Sequence, residues 1–496
     1  MQVSVNKSNG TILDELRKMD VHMNAPCNGN GTCGKCKVKI LGNAPVPTDL
    51  ELKSMEQAIL DEGYRLACKV KCDTDFTIEM DSEKDKFSIV ADYAEFKEDL
   101  VLDSTDGLGI AIDIGTTTIA LMLVDLQTGE TLKTHTLLNS QRRYGSDVIS
   151  RIDYANNNGV EELQNHIKAD LITGIKKLAP AVDVISKVVI AANTTMLHLL
   201  TGANCKGLGV YPFTAEFLDT QTGKLSELFG DEFSGTYTLL AGVSTYVGAD
   251  IVSGMLMTNM YNQDAISLLV DIGTNGEMAI GNKDGILCLA TAAGPAFEGG
   301  NISCGIGSIE GAICKVFDNK GTFTVNTIED KEAAGICGSG LIDAIACALK
   351  QGMIDETGYV ETDDDKIHLT DKISLNQKDI REFQLAKSAI RAGVEVLLIK
   401  HGVKAGDIEN VYLAGGFGQF INLDNAFDIG LLPKEFVGKV QRVGNISAGG
   451  AKKYLVYKDQ QASVEKITEI AVDLNLAHDP IFNEFFATHM LFEEEE

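Results

Sequence analysis

Two stretches of the chain share one pattern of apolar and polar positions. "GLGIAIDIGTTTIALMLVDLQTGETL" reads as an apolar strand, a tight turn, a second strand, a turn at Thr128-Gly129 and a third strand. "ISLLVDIGTNGEMAIGNKDGILCLATAAG", from Ile266, repeats that layout around a second Asp-Ile-Gly-Thr. The repetition predicts an internal duplication. Two further patterns fall between and after these hairpins. "VVIAANTTMLHLLTG" predicts a buried strand running into a helix capped by Asn193 or Thr194, and "VYLAGGFGQF" a buried strand followed by a Gly-rich turn and a helix. Near the start, "CKVKILG" alternates as a strand, "LKSMEQAIL" has helical spacing and "FTIEM" reads as a closing strand. Residues 83–107 are charged, lack clear periodicity and end in a turn signal, which marks a linker.

Composition narrows the function classes. A chain of 496 residues exceeds one ordinary core, and an apolar fraction of 44% can fill several. There is no run of about 18 uncharged apolar residues, and "MQVSVNKSNG" lacks the basic-then-apolar pattern of a secretion signal, so a cytoplasmic location is expected. A net charge of -28 argues against nucleic acid or an anionic membrane as partner, since either needs a basic face. Glu493 to Glu496 read as a solvated tail.

The cysteines change the picture most. Cys27, Cys33, Cys36, Cys68 and Cys72 crowd the first 72 residues, and in a reducing compartment such a cluster points to metal instead of disulfides. Cys27, Cys33 and Cys36 form C-x5-C-x2-C, with Cys68 in "YRLAC" as a distant fourth. Three thiolates in one loop and one far away suit a [2Fe-2S] cluster, with Gly29, Gly31 and Gly34 letting the loop wrap closely. A structural zinc site is the alternative for the same four thiols, though zinc usually draws its ligands as two close pairs. Cys72 is read as a bystander. The loop resembles ferredoxins of the adrenodoxin kind over residues 1–82, which implies a one-electron carrier with a potential on the order of -400 mV if it behaves like plant-type relatives.

The repeated hairpins carry different chemistry. An Asp at a strand end can hold Mg2+ through water, and a Gly-Thr turn offers amides and a hydroxyl to phosphate oxygens. Two such hairpins, with Asp113 in the first and Asp271 in the second, would clamp a polyphosphate from both sides. Here the chain resembles the sugar kinase, Hsc70 and actin superfamily, from about residue 108 to 460. That resemblance implies an α/β protein with two lobes of mixed sheet flanked by helices and ATP-Mg2+ in the cleft. It also implies that Asp113 and Asp271 take the metal or orient the attacking water. Gly115, Thr116, Thr117, Gly273, Thr274 and Asn275 would hold phosphates, and Asn193 and Thr194 stand at the connecting helix. Gly338, Ser339 and Gly340 would approach the nucleotide, and Gly415 and Gly416 would let an adenosine lie against the backbone. The expected domains are therefore a ferredoxin-like unit at 1–82, a linker at 83–107, ATPase lobes at 108–262 and 263–460, and a C-terminal segment with an acidic tail at 461–496.

A ferredoxin joined to such an ATPase, together with "QRRYGSDVISRI", "AGPAFEGGNISCGIG", "GICGSGLIDAIA" and "AGGFGQFINLDNAFDIGLLP", resembles the reductive activators of corrinoid proteins over nearly the whole chain. The resemblance implies ATP-assisted transfer of one electron from the cluster to a Co(II) corrinoid on a partner protein, giving methyl-accepting Co(I), with an external low-potential donor reloading the cluster. Larger members carry a further domain between ferredoxin and ATPase, for which residues 83–107 leave no room. Whether the chain forms a homodimer is open at this stage. Two other readings stand beside this one. An electron injector for a 2-hydroxyacyl-CoA dehydratase would use Cys337 and a second cysteine further along, and none follows Cys347. A small-molecule kinase with a redox-sensing cluster would need a substrate pocket that no motif marks. Arg142, Arg143 and Tyr144 read equally as a solvated loop or a contact, Glu298 as a cleft carboxylate or a turn cap, His198 as a satisfied core histidine, and Cys205, Cys288, Cys304, Cys314 and Cys347 as core thiols. "FNEFFATHMLF" is expected to dock on the core.

Overall fold

The structure is a computed structural model and describes residues 1–19, 21, 23, 25, 29, 31, 34–80, 92–94, 100–319 and 321–492. Cys27, Cys33 and the Glu493 to Glu496 tail lie outside the described residues. No helix among the described residues is long and apolar enough to cross a membrane.

The first 80 residues form a four-stranded sheet in the order Gln2–Val5, Phe76–Glu79, Lys37–Leu41, Tyr64–Leu66. Its alternating Val3, Val5, Val38, Ile40 and Ile78 point to one core, closed by Ile12, Leu13 and Leu16 of helix Ile12–Lys18. "LKSMEQAIL" is not one helix. It breaks into Asp49–Ser54 and Gln57–Asp61, because Met55 turns extended (φ −130°, ψ 145°) and drops its side chain into the core. Glu51 fixes the break: its carboxylate accepts from the amides of Thr48 at 2.8 Å and Leu66 at 2.7 Å, pinning the first helix to the sheet.

Two six-stranded sheets follow, and their topology is that of a duplicated unit. In the first, the meander Leu108–Ile114, Thr118–Asp125, Thr131–Leu138 adds parallel strands Ile185–Ala192 and Thr236–Leu239 beside Leu108–Ile114. In the second, the meander Ser267–Ile272, Gly276–Asn282, Gly285–Thr291 adds parallel strands Asn410–Ala414 and Val440–Gly444 beside Ser267–Ile272. The central strands are apolar on both faces, as buried parallel strands require.

Helices Ala249–Thr258 and Ile446–Val456 cross between the sheets. Their approach depends on small residues: a Cβ on Gly450 would stand 2.1 Å from the carbonyl oxygen of Ser253. The described parts of the linker lie along the second of these helices. Asn445 donates its amide to the Asp92 carbonyl at 3.0 Å, and Asp103 donates to Val456 at 2.9 Å. At the C-terminus, helix Pro480–Thr488 docks on helix Gln377–His401, Lys387 donates to the Leu491 carbonyl at 2.6 Å, and Phe492 is buried.

Candidate functional site

Each meander turns sharply just after its aspartate. Gly115 donates its amide to the Thr118 carbonyl at 2.9 Å, and Gly273 donates to Asn275 at 3.0 Å, so both turns expose hydroxyls and amides to the space between the lobes. That space is a cavity of about 630 Å3, a volume that suits a nucleotide. Asp113, Gly115, Thr116, Thr117, Asn193, Asp271, Gly273, Thr274, Asn275, Gly338, Ser339, Gly415 and Gly416 all line it. Asp113 and Gly416, 303 positions apart in the sequence, thus meet because the two lobes face each other.

Thr194 and Gly340 depart from the expectation. Thr194 lies one residue inside the connecting helix and spends its hydroxyl on the Ser244 carbonyl at 2.7 Å, leaving Asn193 as the cap, its Oδ1 accepting from Met196 at 2.9 Å. Gly340 faces the strand beneath its helix, where a Cβ would meet the Ile313 carbonyl oxygen at 2.2 Å. It permits close packing and does not line the cavity.

The floor of the cavity is strongly acidic. Asp113 and Asp271 are joined by Asp250, Glu277 and Glu298. Removal from water pushes the Asp271 carboxyl up to about 7, with the charges of Asp250, Asp113 and Glu298 adding to it. Asp250 and Glu277 are pushed up for the same reason. Asp113 is raised by desolvation and partly relieved by Ser447 and Asn445, whose Nδ2 donates to it at 2.8 Å. Glu298 accepts from the Thr274 hydroxyl at 2.9 Å, so it serves as a cleft carboxylate and as a turn brace. Five carboxylates facing one space fit a site for a divalent metal held with phosphate.

Sequence reading passed over Asp250, Glu277, Asn445 and Ser447. Glu277 was within reach, since the hairpin register sets it directly opposite Asp271. Asp250 and Asn445 belong to the crossing helices, whose positions depend on the packing of both lobes. Gly415 is required where it stands. Its φ is +86°, and a Cβ would lie 2.6 Å from Asp271 Oδ1. Phe417 and Phe420 line the cavity beside this loop.

The 140–146 segment is not a solvated loop. Tyr144 is buried, Arg142 lines the cavity, and Arg151 anchors the segment from behind. Arg151 is fully buried, donates through Nε to the Gly145 carbonyl at 2.9 Å and through Nη2 to the Thr116 carbonyl at 2.6 Å. Burial lowers its pKa to about 9, so it stays charged at neutral pH. Asn139 donates to the Gly115 carbonyl at 3.0 Å. His198 is a core residue: Nδ1 bonds the Thr194 carbonyl at 2.8 Å, and Nε2 accepts from the Glu216 amide at 3.1 Å. Cys205, Cys288 and Cys347 are buried, whereas Cys304 and Cys314 are half-buried. Cys337 is buried with its thiol on the Ile313 carbonyl at 3.3 Å, and it borders the cavity beside Gly338 and Ser339.

In the N-terminal unit, Ala67 donates its amide to the Cys36 carbonyl at 2.8 Å, which brings the chain around Cys68 alongside Cys36. Both thiols are buried, and Gly29, Gly31 and Gly34 all take positive φ around them. A Cβ on Gly29 would come within 3.7 Å of Cys68 Cβ. The close wrap of backbone around two buried thiols fits a [2Fe-2S] cluster, whose sulfurs need nearby amides.

Comparison with known proteins agrees with both halves. Residues 1–73 match the 2Fe-2S iron-sulfur cluster binding domain, 108–263 the RACo middle region, and 265–496 the C-terminal domain of RACo, the ASKHA domain. The corrinoid activation enzyme RamQ of Eubacterium limosum is 35% identical over 419 residues, covering 77% of this chain and 70% of that protein. The [Co(II) methylated amine-specific corrinoid protein] reductase of Methanosarcina barkeri is 28% identical over 422 residues, 77% of each chain. A solved structure of a reductive activator for corrinoid, iron-sulfur protein superposes with a TM-score of 0.70 at 28% identity, over 98% of this chain and 96% of that one. By its three matched regions and its likeness to RamQ along most of its length, the chain belongs to the RACo family of reductive activators of corrinoid proteins.

Proposed function

We propose that this chain reduces the Co(II) corrinoid of a partner protein by one electron, using ATP bound between its lobes. The observation that carries the reading is the cavity itself, in which both Asp-Ile-Gly-Thr turns face one acidic floor in a chain that also holds the buried Cys36 and Cys68. Cys36 and Cys68, with Cys27 and Cys33, would hold a [2Fe-2S] cluster, which would supply the single low-potential electron that takes Co(II) to Co(I).

In the cleft, Thr116, Thr117, Thr274 and the turn amides hold the phosphates, while Gly415 and Gly416 seat the adenosine with Phe420 beside it. Asp113, Asp271 and Asp250 would hold Mg2+, which would neutralise phosphate charge and relieve the repulsion among these buried carboxylates. Asn445 fixes the Asp113 carboxylate, and Glu298 orients the Thr274 hydroxyl. Electron transfer to Co(II) runs uphill, each 100 mV of deficit costing about 2.3 kcal/mol per electron. Nucleotide turnover would supply this by driving a conformational cycle whose two states bind ATP differently. An external low-potential donor reloads the cluster.

The test is anaerobic and optical. Reduced protein, a Co(II) corrinoid protein and ATP-Mg2+ are mixed, and the Co(I) spectrum is followed. Co(I) should form only with nucleotide and fail in Asp271→Ala. Cobalt remaining Co(II) while ATP is consumed on a small molecule would put the kinase reading in its place.

A further inference from the structure

The cavity has a wall that neither phosphate turn supplies. Ala25 and Lys35, from the N-terminal unit, line it together with Thr116, Thr274 and Glu298. Lys35 directly precedes Cys36 and is exposed. The unit is held in this position by Arg17 on helix Ile12–Lys18. Its Nε donates to the Arg143 carbonyl at 3.0 Å, and its guanidinium lies 5.5 Å above the Tyr144 ring. Tyr144 is itself anchored, its hydroxyl 3.0 Å from Glu162 and 2.9 Å from His166. Through Gly145 and Arg151 this contact continues to the Thr116 carbonyl in the first phosphate turn.

Charge says what Lys35 is for. Five carboxylates line the cavity, and a polyphosphate adds more negative charge, while among the described residues the cationic side chains on its wall are Lys35 and Arg142. A lysine ammonium is a compact point charge that suits phosphate oxygens, and a low-dielectric cleft strengthens the pairing.

We infer that Lys35 is a phosphate ligand of the bound nucleoside triphosphate, so that the cluster-bearing unit completes the nucleotide site. The inference rests on the ATP reading above. By linkage, triphosphate holds the unit docked, and the docked unit tightens triphosphate to the same degree. Loss of the terminal phosphate removes the anion that Lys35 meets and loosens the unit, freeing Cys36 and its neighbours to approach a partner.

The experiment uses the full chain carrying its cluster. A non-hydrolysable ATP analogue and ADP, each with Mg2+, are titrated calorimetrically into wild type, Lys35→Gln and Lys35→Arg. Lys35→Gln should weaken the triphosphate about tenfold and ADP by less than the triphosphate, with unchanged visible absorption, and Lys35→Arg should restore most of the loss. A triphosphate loss under threefold overturns the inference. Hydrogen exchange on wild type gives a second readout that needs no variant, should Lys35→Gln lose its cluster. Amides of 12–18 and 140–146 should slow with the triphosphate analogue and not with ADP, and equal exchange in both states overturns the inference. Wild type that binds no adenine nucleotide would sink the ATP reading itself, whereas normal wild-type binding with an indifferent Lys35→Gln sinks only the role of Lys35.

Discussion

The guanidinium of Arg151 and the carbonyl oxygen of Thr116 meet at 2.6 Å behind the first phosphate turn. Arg151 is wholly inside the protein and does not line the cavity, so it acts on a bound nucleotide through the backbone carbonyls of Thr116 and Gly145 that it holds.

Arg151→Met should therefore cost stability and affinity together. It leaves the Thr116 and Gly145 carbonyls without their buried donor, at about 1–3 kcal/mol per unpaired group. ATP should bind on the order of tenfold more weakly, measured by titration, while cluster absorbance stays as in wild type. Arg151→Lys should recover little, because an ammonium cannot reproduce the fork that spans both carbonyls.

The acidic floor predicts a pH signature in the nucleotide-free protein. Asp271 titrates near 7 in the folded chain against 3.8 for an unperturbed group, so between those values the folded state binds more protons than the unfolded one. Stability should then fall as pH rises through this window. Asp271→Asn removes the charge and should raise the apo Tm relative to wild type at pH 8, by about 2–4 °C for each kcal/mol relieved. At pH 5 the difference should be smaller and should vanish only below the unperturbed 3.8, and the variant should gain little from Mg2+ and ATP. Calorimetric scans across pH decide this, and a Tm difference independent of pH would count against it.

Gly415→Ala forces a side chain into a left-handed position already occupied by Asp271 Oδ1 and the Ile272 carbonyl, both 2.6 Å from the new Cβ. The backbone alone costs about 1–2 kcal/mol. The larger effect should be functional, because Asp271 has to move. ATP hydrolysis should fall at least tenfold in steady-state assays while the thermal transition shifts only modestly.

Cys68→Ser should remove the visible absorption of the cluster and abolish Co(II) reduction. ATP should still bind between the lobes, since Cys68 belongs to the four-stranded sheet unit and does not line the cavity. Loss of the cluster with intact cobalt reduction would overturn the assignment of the electron source.

The elements that carry the chemistry were legible because each is written locally. An Asp at the end of an apolar strand followed by Gly-Thr can only turn, and it did so twice with the same strand order on either side. Of the C-x5-C-x2-C run, Cys36 is buried, as is Cys68, while Cys27 and Cys33 lie outside the described residues. The helix cap was narrowed to Asn193 or Thr194, and Asn193 takes it, since a cap is decided within a few residues. The "LKSMEQAIL" segment misled because its apolar spacing suits a helix, while Glu51 bonding to Leu66 and the burial of Met55 break it from outside the segment.

By itself the sequence determined the strands, the duplicated turns and the family, all of which depend on spacing along the chain. Tertiary structure alone decided that Asp250 and Asn445 join Asp113 and Asp271, that Thr194 and Gly340 turn away, and that Arg17 holds the N-terminal unit so that Lys35 lines the cavity between the lobes. The physical reason is that charge repulsion, desolvation and a guanidinium's choice of carbonyl act through space, over a few ångströms, between residues whose separation along the chain carries no trace of the contact.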